Sequence, residues 1–97
     1  MTQTQVKPKR EPLQSVDEML IIRKLLKYGY EIMGIQGLDH SFWIYDKTNR
    51  NVGTIRNGQL RWMCSVKGKQ VLLTVQIMAE SLYHVAPTGG KVLVRKL

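Results

Sequence analysis

From about Val16 to Tyr28 the apolar residues recur at three- and four-residue spacing, and from Tyr30 onward the period falls to two. The first pattern predicts a helix and the second a run of strands. Val16, Met19, Leu20, Ile22, Leu25 and Leu26 make the helical stripe. Ser15 and Glu18 stand at capping-box spacing, Asp17 and Glu18 meet the positive end of the dipole, and Lys24 and Lys27 meet the negative end. Gly29 supplies the left-handed residue that stops the helix.

Tyr30 to Gly37 alternates as a first strand, and Ser41 to Asp46 is rich in the aromatic and β-branched residues that strands prefer. Lys47 to Asn51 reads as a turn with Asn49 in a left-handed position. Val52 to Arg56 and Gln59 to Val66 flank Asn57-Gly58, the strongest short-range signal for a hairpin. A two-residue turn there pairs Arg56 with Gln59, Ile55 with Leu60, Thr54 with Arg61 and Gly53 with Trp62. One hairpin face then carries Ile55, Leu60, Trp62 and Cys64, with the indole over Gly53, and the other carries Thr54, Arg56, Gln59 and Arg61.

Residues 70–85 fit two periods. Val71, Leu73, Val75 and Ile77 alternate like a strand, while Val71, Val75, Met78, Leu82 and Val85 fall on one helical face. The reading taken is a strand to about Thr74 and a second helix from about Val75 to Val85, with a helix throughout as the alternative. Ala86 to Gly90 closes this segment, and Lys91 to Leu97 forms a short last strand. The expected class is α+β: an N-terminal helix packed on an antiparallel meander of three to five strands, with a second helix near the C-terminus. Residues 1–12 hold only Val6 among strongly apolar side chains and read as a disordered basic arm, leaving residues 13–97 as a single domain.

Charge changes this picture. The chain of 97 residues has a net charge of +8, and the run from Lys47 to Lys69 carries Lys47, Arg50, Arg56, Arg61, Lys67 and Lys69 without one acid. Cations concentrated on a folded hairpin point to a polyanion, DNA or RNA alike. Arg56 and Arg61, flanked by Thr54 and Gln59, form a donor array suited to phosphate oxygens or base edges, and Lys47, Arg50, Lys67 and Lys69 bracket it from the two loops. Phe42, Trp43, Ile44 and Tyr45 leave neither face of their strand polar. If Phe42 and Ile44 join the core, Trp43 and Tyr45 emerge beside the arginines, where they can stack on bases; a shift of one residue exchanges the pairs. Aromatics and arginine are also enriched at protein interfaces, so the rival expectation is a non-catalytic module or inhibitor docking on an acidic partner, or a homodimer.

Chemistry beyond binding has little to rest on. His40 and His84 are distant in sequence, the seven acids are scattered, and Thr88-Gly89-Gly90-Lys91 lacks the spacing of a phosphate loop and reads as a turn. The expectation is therefore a protein that is not an enzyme and holds neither metal nor cofactor. The lone Cys64 suits buried packing and a reducing compartment, and no apolar run approaches the roughly 20 residues of a membrane span. The first fifteen residues are polar, unlike a signal peptide, so the expected setting is cytoplasmic, away from membranes.

Overall fold

The computed structural model describes the backbone of residues 10–97 and side chains from Asp17 onward. Among these residues a helix, α1 (Arg10–Lys27), precedes eight strands. Strands β1 (Glu31–Gly34), β2 (Ser41–Tyr45), β3 (Asn51–Arg56), β4 (Gln59–Val66) and β5 (Lys69–Thr74) form an antiparallel sheet in sequence order. Strands β6 (Gln76–Met78), β7 (Ser81–Val85) and β8 (Lys91–Lys96) form a second antiparallel sheet, also in sequence order.

The helix begins earlier than the capping box requires. Arg10, Glu11 and Pro12 are helical, and residues 1–9 of the expected arm lie outside the described residues. Proline is tolerated in a first turn because the amide it lacks has no acceptor within the helix. Ser15 is therefore interior to α1 and is not its cap. The core-facing stripe also differs. Leu25 is fully buried and Ile21, Ile22 and Tyr28 pack against the core, whereas Met19, Leu20 and Leu26 are exposed. Glu18, expected to serve the helix terminus, is buried on this inward stripe.

The stop is as the glycine implies. Gly29 has φ of +94°. The Tyr30 amide donates to the Leu25 carbonyl at 3.1 Å and the Gly29 amide to the Leu26 carbonyl at 3.0 Å, the two bonds of a Schellman motif. Leu25 and Tyr30, the residues that such a motif brings into apolar contact, both belong to the core.

The second helix does not form. Residues 75–85 instead turn through β6 and β7, so the strand-like period of Val71, Leu73, Val75 and Ile77 prevails. The run is dense in β-branched residues, which lose side-chain freedom in a helix. Val75 is the corner at which the chain changes sheets: it is buried, and its amide donates to the Leu60 carbonyl at 3.0 Å. A two-residue loop, Ala79-Glu80, then reverses the chain, with Ala79 at φ of +56°. The His84 Nδ1 donates to the Thr74 carbonyl at 2.8 Å, tying β7 back to the end of β5. The core joins all three layers, with Leu25 from the helix, Tyr30 from its cap, Ile44, Ile55, Leu60 and Trp62 from the first sheet, Val75 from the corner between the sheets and Leu82 from the second. The first sheet has five strands, within the three to five expected of the meander, and the expected last strand is β8; residues 75–85 add β6 and β7 in place of the second helix.

Candidate nucleic-acid interface

The central hairpin forms in the register that its turn dictates. Gly53 pairs with Trp62, Thr54 with Arg61, Ile55 with Leu60 and Arg56 with Gln59. Asn57 and Gly58 take φ of +52° and +79°, both left-handed as a type I′ turn requires. Lys67 and Gly68 repeat this conformation between β4 and β5, at +51° and +79°.

Pairing continues on both sides of the hairpin. Met33 pairs with Trp43, Trp43 with Thr54, Thr54 with Arg61, and Arg61 with Thr74, so these five residues form one row across the whole sheet. Residues directly opposite in antiparallel strands project to the same side. Ile44, Ile55, Leu60 and Trp62 occupy the other side and are buried. The Met33 to Thr74 row therefore belongs to an outer face. On it Trp43 is 38% exposed, Met33 58% and Leu72 42%, while Arg56, Gln59 and Arg61 are exposed and Tyr45 is half-buried. Of the two alternatives for the aromatic run, Ile44 is in the core with Phe42 against it, and Trp43 and Tyr45 lie on the arginine side.

Thr54 departs from expectation. It lies in the outer row yet is only 6% exposed. Its cross-strand neighbours are Trp43 and Arg61, long side chains that shield the short one between them, so the hydroxyl adds little to a donor array. Arg61 is exposed and is steadied by its Nη2 donating to Gln59 Oε1 at 3.0 Å.

The six central cations do not all share this face. The turns after β2 and after β4 fall at the same end of the meander, opposite the Asn57-Gly58 turn. Lys47, Arg50 and Lys67 are thus separated from Arg56 and grouped at the far end. Lys69 pairs with Val66, in the alternation that carries Cys64, Trp62 and Leu60 on the inner side, so Lys69 does not join the outer row. Lys47 folds back instead: a Cβ on Gly29 would meet its Cε. It lines a cleft of about 380 Å³ with Tyr28, Tyr30, Thr48, Arg95 and Lys96, and the Asp46 carboxylate shares that lining. The arrangement has two cationic regions, the Arg56 and Arg61 face and the Lys47, Arg95 and Lys96 cleft.

Local hydrogen bonds set these loops. Asp46 accepts from the Thr48 hydroxyl at 2.6 Å, the Thr48 amide at 2.9 Å and the Arg50 amide at 3.0 Å. The Thr48 hydroxyl foremost, with the Arg50 amide, holds the Asp46 carboxyl below the usual carboxylate range. Asn49 takes φ of +67°, as its residue type allows. A bulge follows, at which Tyr45 pairs with Asn51 while Ile44 pairs with Gly53. The Asn51 side-chain amide satisfies the Ile44 and Gly53 carbonyls that the irregularity leaves, at 3.0 and 3.2 Å.

At the opposite end, the buried Glu18 carboxylate meets His40 Nδ1 at 3.2 Å, a contact that is an ion pair when the imidazole is protonated. His40 sits at φ of +54° and its carbonyl accepts from the Asn57 amide at 2.8 Å. Sequence reasoning missed this bracket between helix and hairpin turn. Its only local signal is an acid on the apolar stripe of α1.

Cys64 is half-buried, and burial raises its pKa above the ordinary thiol value. No group of three or more metal-ligating side chains occurs among the described residues. No helix among them is long and apolar enough to cross a membrane.

Comparison with family models, curated proteins and solved structures found no match. The functional reading therefore rests on the outer face itself.

Proposed function

We propose that this protein binds nucleic acid through the outer face of its five-stranded sheet, with Arg56 and Arg61 as the anion-contacting residues. The reading draws its main support from two exposed guanidinium groups on adjoining strands, neither of which has a carboxylate within ion-pair distance among the described residues. Guanidinium N–H groups in that state are free for phosphate oxygens or base edges. Trp43 and Tyr45 supply aromatic surface on the same face. Lys67 and Arg50 add positive potential from the far loops, and the net charge of +8 draws a polyanion to the molecule as a whole.

Binding of this kind weakens with salt by about 0.9 log units in affinity per neutralised phosphate for each log unit of salt on a duplex. Replacing Arg56 and Arg61 together by alanine is expected to lower affinity and to reduce the salt slope by about 2, one for each lost contact. Unchanged affinity and slope in that double variant would refute the proposal.

A second reading, docking of an acidic protein partner, has its own support. Among the described residues strand β8 is an unpaired edge of the second sheet; it carries Lys91, Arg95 and Lys96, and exposes Val92 and Leu93 beside Val66 and Leu73. An edge with this composition suits an extended acidic segment. A partner retained in a pull-down after nuclease treatment, and lost on reversing the charge of Lys91 and Lys96, favours this reading over the first.

A further inference from the structure

We infer that the ligand of the outer face is single-stranded nucleic acid, an inference that rests on the proposal above and narrows it. A free two-stranded β-ribbon can enter the major groove of a duplex, which is roughly 12 Å wide. The hairpin of β3 and β4 is not free, because β2 and β5 flank it in one continuous sheet. Four inter-strand spacings of about 4.8 Å make that sheet about 19 Å across before side chains are counted. It is too broad for the groove, so a duplex would meet this face only through its phosphates.

The composition of the face fits an unpaired strand better. Phosphates alone would leave Met33, Trp43 and Leu72 without partners, although all three are exposed there. Unstacked bases have apolar faces and supply those partners. Trp43 and Arg61 flank Thr54 in the same row, two strand spacings or roughly 10 Å apart. A base stacked on the indole thus leaves a neighbouring phosphate within reach of the Arg61 guanidinium. Arg56 lies two residues along β3 from Thr54, about 7 Å further, and meets the next phosphate. Among the described residues Glu31, in the row of Tyr45, is the one acid paired into the outer face, and it lies on the edge strand remote from Arg56 and Arg61. The charge facing the ligand there is positive.

Titration of the full-length protein with a labelled thymidine oligonucleotide of roughly 12 nucleotides, and with a duplex of the same length, tests this. The expected result is tighter binding of the single strand and quenching of indole fluorescence, which reports Trp43 because Trp62 is buried. Trp43→Ala should weaken single-strand binding about 10-fold, and by more than it weakens duplex binding, while Trp43→Phe, which retains a ring, should stay within a few-fold of the parent. Equal affinity for the two forms, or a Trp43→Ala variant that melts cooperatively and binds the single strand as well as the parent, overturns the inference. In that event an Arg56→Ala, Arg61→Ala variant that still loses affinity for both probes leaves the broader proposal standing, whereas one that loses none removes it as well.

Discussion

The rings of Tyr30 and Trp62 meet edge to face, with centroids 5.2 Å apart and planes at 85°. Tyr30 follows the glycine stop of α1 and Trp62 lies on β4, so this contact fastens the helix terminus to the sheet beneath the outer face. A third element joins it, since Arg95 Nε of β8 donates to the Tyr30 hydroxyl at 3.0 Å. Tyr30→Phe keeps the ring contact and removes the acceptor. It should cost about 0.5 to 1 kcal/mol, because Arg95 is exposed and regains water. The check is a lowered urea midpoint with an unchanged m-value.

Gly53 is fixed by the strand beside it. A Cβ built there meets the Arg61 carbonyl oxygen and the Trp62 Cα, backbone atoms that can move only by opening the β3 and β4 ladder. Gly53→Ala should therefore lose at least 1 to 3 kcal/mol, about the cost of overpacking a core. Gly34→Ala is the control, because nothing lies within 4 Å of its added methyl. Thermal unfolding of the pair should show a large drop for the first variant and little change for the second.

Ala79 holds a left-handed φ of +56° in the loop between β6 and β7. An L-residue with a Cβ is strained there by roughly 1 to 2 kcal/mol, partly balanced by the chain entropy that glycine loses on folding. Ala79→Gly should raise stability by about 0.5 kcal/mol, and Ala79→Val should lower it. Both shifts are measurable as changes in the denaturant midpoint.

The Asp46 turn makes part of the fold acid-sensitive. Its carboxyl is held below the ordinary value of 3.8 by the Thr48 hydroxyl and then the Arg50 amide, so the folded state favours the ionised form. That contribution is complete above the unfolded value and disappears as the pH falls through the lower folded one. Melting temperatures of the parent and Asp46→Asn should differ by a constant amount from neutrality to about pH 5 and converge in stronger acid. A difference that widens on acidification would reverse the assignment.

Local chemistry made much of the fold legible. Asn57-Gly58 determines a turn type, the turn determines a register, and the register places Ile55, Leu60 and Trp62 inward with Arg56 and Arg61 outward. Gly29 likewise needs only its own backbone freedom to end α1. What escaped was non-local. The burial of Thr54 comes from Trp43 and Arg61 on separate strands, and that of Glu18 from a loop 22 residues away. Residues 75–85 satisfy both periods, and pairing with β8, formed by the last residues of the chain, decided between them. Among the site residues, the split between the arginine face and the Lys47 cleft depends on which end of the meander each loop occupies, and the spacing of cations along the chain carries no record of it.

Every strand of the larger sheet lies beside its neighbour in sequence, and two of the four connections are two-residue turns. Ordering such a meander closes only short loops, so little entropy is lost before each new hydrogen bond forms. The β-rich molecule should therefore fold faster than sandwiches of similar size whose strands come from distant parts of the chain.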